Sequence, residues 1–163
     1  SRLQAKGLSL NLAQVRLDLL AERIVKKFRE SSLGKNARKF TLHFPEDFPT
    51  ILGDETRLTQ VFNNLISNAI KYSSEGSEIT ISGQDRQNQV IVCVSDQGLG
   101  IAPVDIPHIF DRFYRANEVS QNTKGAGLGL YLTRAIIEAH GGNIWVDPHY
   151  KNGARICFSL PKT

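Results

Sequence analysis

Residues 54–72, DETRLTQVFNNLISNAIKY, place Arg57, Asn64, Asn68 and Lys71 on one line when the segment is wound as a helix at about 100° per residue. Two carboxamides one turn apart beside an ammonium form a polar seam. An ordinary solvated helix face carries Glu and Lys pairs, each stabilising by a few tenths of a kcal/mol. Asn is a weak helix former, so helix stability alone does not account for these residues. Asp96 ends an apolar run and is followed by Gln97-Gly98-Leu99-Gly100. Its carboxylate can accept from the exocyclic amine of a purine, or cap the turn that follows. Lys124-Gly125-Ala126-Gly127-Leu128-Gly129-Leu130 leads into a helix. Small residues there let the backbone approach an anion while the first amides point outward; the plain alternative is a glycine hinge.

Neither glycine site is a dinucleotide fingerprint, which needs strand, GxGxxG and helix in one unit. The first runs into Pro103, and the second has Leu130 where the third glycine belongs. Gly34-Lys35 leads to Asn36, not to the Ser or Thr of a P-loop.

The elements around these residues follow from period and punctuation. Leu58, Val61, Phe62, Leu65, Ile66, Ala69 and Ile70 make the apolar stripe of the 54–72 helix, with Asp54 as its N-cap. Residues 8–15 alternate as a strand, and 16–31 recover helical spacing. Residues 39–44 and 50–52 read as short strands around the turn PEDFP. Residues 77–82 and 89–95 form a strand pair, the second apolar enough to be buried on both faces. A third helix runs through Ala139 to a glycine stop, and 143–147 with 154–160 close the chain as a hairpin. The expected fold is an α/β (α+β) two-layer sandwich, a mixed sheet with three main helices on one face.

At 163 residues, the chain is long enough for one domain with a full core. A net charge of +4 with dispersed Lys and Arg argues against a dedicated nucleic-acid binder but suits a polyanionic ligand such as a nucleotide. Cys93 and Cys157 sit in apolar alternating runs and read as buried free thiols. No secretory signal or run of 18 apolar residues is evident, so a cytoplasmic domain is expected, with a soluble or membrane-anchored parent.

DETRLTQVFNNLISNAIKYS resembles the N box, DQGLGI the first glycine box, IFDRFYR the F box and KGAGLGL the second glycine box of sensor histidine kinases. These belong to the ATPase superfamily that includes gyrase, Hsp90 and MutL. The four boxes stand in the family's order, and the resemblance covers nearly the whole chain. It implies ATP and Mg2+ as ligands. Asn68 would be the magnesium ligand, a hard ion taking an amide oxygen with phosphates and water. Asn64 and Lys71 would contact phosphate or its hydration, and Tyr72 would line the nucleotide. Asp96 would accept from the adenine amine, Gly98 and Gly100 would make room for the base, and Ile101 would be apolar wall. Phe110 and Phe113 would anchor a lid whose Arg115 and Lys124 reach the terminal phosphates. Gly125, Ala126, Gly127 and Gly129 would cradle those phosphates over Leu128 and Leu130. Ala126 departs from the Thr or Ser of many relatives, which removes a hydroxyl contact and keeps the backbone amide.

The resemblance further implies that residues 1–7 are the remnant of a preceding dimerisation helix and 8–163 the ATP-binding catalytic domain. The partner would be the dimerisation and histidine-phosphotransfer domain of the same protein and, indirectly, a response regulator. The isolated piece is expected to be monomeric and not to bind nucleic acid. Residues 102–124, with few apolar anchors, are expected to form a lid that is mobile without nucleotide. None of His43, His108, His140 or His149 stands in the family's acceptor motif, so autophosphorylation requires the separate domain. An ATPase of the gyrase, Hsp90 or MutL kind would need a general-base Glu where this chain has Asn64. A serine kinase of the anti-sigma type and a regulatory module without nucleotide are the remaining alternatives.

Overall fold

The computed structural model describes residues 2–5 as backbone, 7–114 and 129–162. In chain order it holds β1 (Arg2–Ala5), β2 (Leu8–Asn11), β3 (Ala13–Val15), α1 (Leu17–Glu30), β4 (Lys39–His43), β5 (Ile51–Gly53), α2 (Glu55–Tyr72), β6 (Glu78–Asp85), β7 (Gln89–Ser95), α3 (Gly129–Ala139), β8 (Asn143–Val146) and β9 (Arg155–Pro161). A five-stranded sheet has the order β4-β6-β7-β9-β8, parallel only between β4 and β6. This is the expected mixed sheet with three helices.

Strict alternation decides which face is covered. Val90, Val92 and Val94 of β7 and Ile156, Phe158 and Leu160 of β9 join the stripes of all three helices in one core. From α2 come Leu58, Val61, Phe62, Leu65, Ile66 and Ala69, all buried. Phe62 meets Phe158 edge-on at 5.8 Å between ring centroids. Asp54 caps α2 by accepting from the Arg57 N–H at 3.1 Å.

Three expectations are corrected. The strand over 8–15 is two strands that pair with different partners, β2 with β1 and β3 with β5. The Asn11 N–H donates to the Asp54 carboxylate at 2.9 Å, so it is spent on the helix cap where the chain changes partner. Residues 2–5, read as the end of a helix, form a strand antiparallel to β2. Cys93 and Cys157 are not free thiols. They lie opposite each other in the β7–β9 register, with Cα atoms 4.0 Å apart, and are joined as a disulfide. Both strands turn their core residues to the helices, so both cysteines share the other face; only the pairing register makes them neighbours.

Among the described residues, no helix is long and apolar enough to cross a membrane.

Candidate functional site

The polar seam of α2 runs toward its C-terminal end, and two other segments converge on it. The first is the turn after β7. Asp96, only 6% exposed, extends the β7–β9 ladder: its N–H donates to the Ala154 carbonyl at 2.8 Å. Its Oδ1 accepts from the Gly98 N–H at 2.9 Å and the Ala154 N–H at 3.0 Å. No hydrogen bond to Oδ2 is formed among the described residues. Burial pushes this carboxyl up from the usual value, and the two N–H donors oppose that shift. A half-satisfied buried carboxylate offers a strong acceptor to an N–H donor entering from solvent.

Gly98 fits against the end of α2 because it has no side chain. A Cβ there would lie 2.1 Å from the Tyr72 carbonyl oxygen, and the next amide, Leu99 N–H, donates to that oxygen at 3.3 Å. Ile101 and Phe110 are half-buried and pack on the core, and Ile109 belongs to it. The Tyr114 hydroxyl donates to buried Asp105. Phe113, expected as an anchor, is instead 57% exposed, at a positive φ of 65°, with the Arg112 guanidinium 4.8 Å from its ring centroid. Ile109, Phe110 and Tyr114 hold this segment to the body.

The second converging segment is the start of α3. The Asn64 amide nitrogen donates to the Gly129 carbonyl at 3.3 Å and to Thr133 Oγ1 at 3.2 Å. Thr133, fully buried, donates to Gly129 O at 2.8 Å. Asn64 therefore ties α2 to the first turn of α3, a role in addition to the phosphate contact expected of it. Asn68 and Tyr72 are half-buried, and Lys71 is exposed with Nζ 5.9 Å from the Tyr72 ring centroid. Gly129 and Leu130 are half-buried, and Leu130 packs on the core. Arg115, Lys124, Gly125, Ala126, Gly127 and Leu128 lie outside the described residues, as does the centre of the expected lid.

Sequence reasoning missed the loop before β9. The Tyr150 hydroxyl donates to the Asp96 carbonyl at 3.0 Å, and Arg155 lies over the Tyr150 ring at 4.2 Å while its Nε donates to Ser95 Oγ at 2.8 Å. A Cβ on Gly153 would lie 2.2 Å from the Asp96 carbonyl oxygen, so only glycine leaves room for this prop. Nothing in the run HYKNGA links it to Asp96 before the strands are paired.

Among the described residues, no group of three His, Cys, Asp or Glu side chains can hold a metal ion by itself. A hard cation here would rely on an amide oxygen such as that of Asn68, completed by ligand phosphates and water.

A helix-covered mixed sheet that carries a buried acceptor just after β7 and an amide and ammonium row on α2 fits the class of catalytic ATP-binding domains. Residues 53–163 match the family model described as histidine kinase-, DNA gyrase B-, and HSP90-like ATPase, and the chain belongs to that family. The adaptive-response sensory kinase SasA of Crocosphaera subtropica is 39% identical over 94% of this chain and 40% of its own length. The solved catalytic domain of histidine kinase ThkA is 30% identical, with a TM-score of 0.78 over 94% of this chain and 99% of that one. Full-length ShkA in complex with AMPPNP is 28% identical, with a TM-score of 0.82 over 98% of this chain and 33% of that one. The chain spans less than half the length of the curated sensor kinases that it matches.

Proposed function

We propose that this domain binds Mg-ATP between α2, the 96–101 loop and the start of α3, and presents the terminal phosphoryl group to a histidine on a separate dimerisation domain of the same protein. A response regulator would then take the phosphoryl group from that histidine, on the cytoplasmic side. The observation that carries this reading is Asp96: one oxygen is spent on the loop backbone, and the other, which accepts no hydrogen bond among the described residues, would take a base amine. The solved likeness of ShkA with AMPPNP supports the same reading.

Asp96 selects the base, Ile101 and Tyr72 wall it, and Gly98 and Gly100, expected to make room for it, instead let the base loop close on the Tyr72 and Gly153 carbonyls. Asn68 supplies an amide oxygen to the magnesium ion, and Lys71 supplies positive charge to the phosphates. Gly129 and Leu130 continue the phosphate end, together with Arg115, Lys124, Gly125, Ala126, Gly127 and Leu128, whose assignment rests on the sequence. Bound Mg-ATP supplies the phosphoryl group; the residues position it and neutralise charge, which is most of what such transfer requires. Asn64 carries no carboxylate, and its amide is engaged by α3, so it does not activate water and hydrolysis is slow.

Calorimetric titration with AMPPNP tests the reading. One site that tightens with Mg2+ is expected; no binding under either condition refutes it. Labelled ATP is expected to leave no stable phosphohistidine in the isolated chain. His140, for one, is buried with both ring nitrogens hydrogen-bonded.

A further inference from the structure

The C-terminus of α2 carries Tyr72, and it ends without a glycine cap. Ser73 has φ −112° and ψ 168°, so the final carbonyls need partners from elsewhere. Arg38, just before β4, provides them. Its Nη2 donates to the Ile70 carbonyl at 2.8 Å and the Ser73 carbonyl at 2.9 Å, and its Nε to Ser73 Oγ at 2.9 Å. Its Nη1 donates to the carbonyls of Lys35 at 2.7 Å and Ala37 at 2.8 Å. These five bonds match the five N–H groups of a guanidinium, whose planar fork a Lys ammonium cannot reproduce. The Arg38 backbone is itself held, its N–H donating to Ser32 Oγ at 2.8 Å. A cation at this end of a helix also complements its dipole.

The turn that Arg38 grips is the one on which the base loop rests. The Tyr72 carbonyl accepts from Leu99 N–H at 3.3 Å, a Cβ on Gly98 would lie 2.1 Å from it, and Gly98 N–H bonds Asp96 Oδ1 at 2.9 Å. One continuous chain of contacts thus runs from Arg38 through residues 72–73 and 98–99 to the carboxylate. We propose that Arg38 is a positioning residue of the nucleotide site, fixing the end of α2 against the Asp96 loop and so sustaining preference for an adenine base. This rests on the nucleotide-binding reading above.

The test uses the whole 163-residue chain, as wild type, Arg38→Lys and Arg38→Ala. Each is titrated calorimetrically with the magnesium complexes of AMPPNP and GMPPNP, at a temperature where circular dichroism shows it folded. Arg38→Ala is expected to lose roughly tenfold or more in AMPPNP affinity, the cost of a misplaced contact in an organised site. Its AMPPNP over GMPPNP ratio should move toward one, and the Leu99 amide should exchange faster with solvent. Arg38→Lys should fall between the two. General destabilisation of a still-folded variant does not change base preference, so that ratio separates positioning from bulk stability. A folded Arg38→Ala that keeps both affinity and preference overturns the proposal and leaves the nucleotide reading intact. If Arg38→Ala does not fold, wild-type preference together with wild-type Leu99 exchange in Arg38→Lys overturns it. A wild-type chain that binds neither nucleotide overturns the nucleotide reading and this proposal with it.

Discussion

Asp96→Asn turns one carboxylate oxygen into an NH2 group and leaves the shape of the side chain unchanged. The amide oxygen can still accept from the Gly98 and Ala154 N–H groups, now at 2.9 and 3.0 Å, so the loop stays closed. The NH2 then takes the place of Oδ2 and presents donors to the adenine amine, itself a donor. Losing a hydrogen bond to a charged group costs about 1.5–3 kcal/mol, and a buried donor left unpaired about 1–3 kcal/mol more. At about 1.4 kcal/mol per tenfold, the smaller ends of these ranges together predict a fall in AMPPNP affinity of about sixtyfold, and the larger ends more. Stability should move the other way or not at all. Burial raises the folded pKa of Asp96 above its value of 3.8 in the unfolded chain. Its contribution to stability is therefore complete below that value and is lost as pH rises through the folded pKa. At neutral pH the buried charge is a cost, and Asn removes it. Calorimetry with Mg-AMPPNP and thermal unfolding of both proteins at pH 7 make the comparison. Affinity retained within threefold, or a large drop in melting temperature, would refute the division of labour assigned to the two oxygens.

Protonation and reduction probe the rest of the scaffold. His140 Nε2 accepts from the Asp54 N–H at 3.0 Å, so its Nδ1 carries the proton donated to the Ile136 carbonyl at 2.8 Å. Burial lowers its pKa from 6.5, against opposing pulls from that carbonyl and from Asp54. The stability it contributes is present above 6.5 and is lost as pH falls through the lower folded value. Urea midpoints should therefore decline from pH 7 toward 5 in wild type and flatten in His140→Gln; parallel profiles would contradict the assignment. The disulfide closes a separation of 64 residues, which on chain-entropy grounds contributes about 4 kcal/mol. Reductant should lower the urea midpoint of wild type and leave Cys157→Ser unmoved; two titratable thiols in the untreated native chain would count against the bond.

Local pattern was enough for the helix stripes, the Asp54 cap, the alternation of β7 and β9 and four ordered motifs, because each depends on residues within a few positions of one another. The seam of Asn64, Asn68 and Lys71 and the Asp96 turn were legible for that reason. Tertiary structure alone decided that Cys93 faces Cys157, since register between strands 64 residues apart is a property of pairing and not of either strand. It also decided that Tyr150, Gly153 and Ala154 support Asp96, that Asn64 reaches Thr133, and that Arg38 ends α2. Those contacts join side chains to backbone groups that become neighbours only when the helices settle on the sheet. A buried donor or acceptor must find a partner there, and which one it finds depends on the packed geometry.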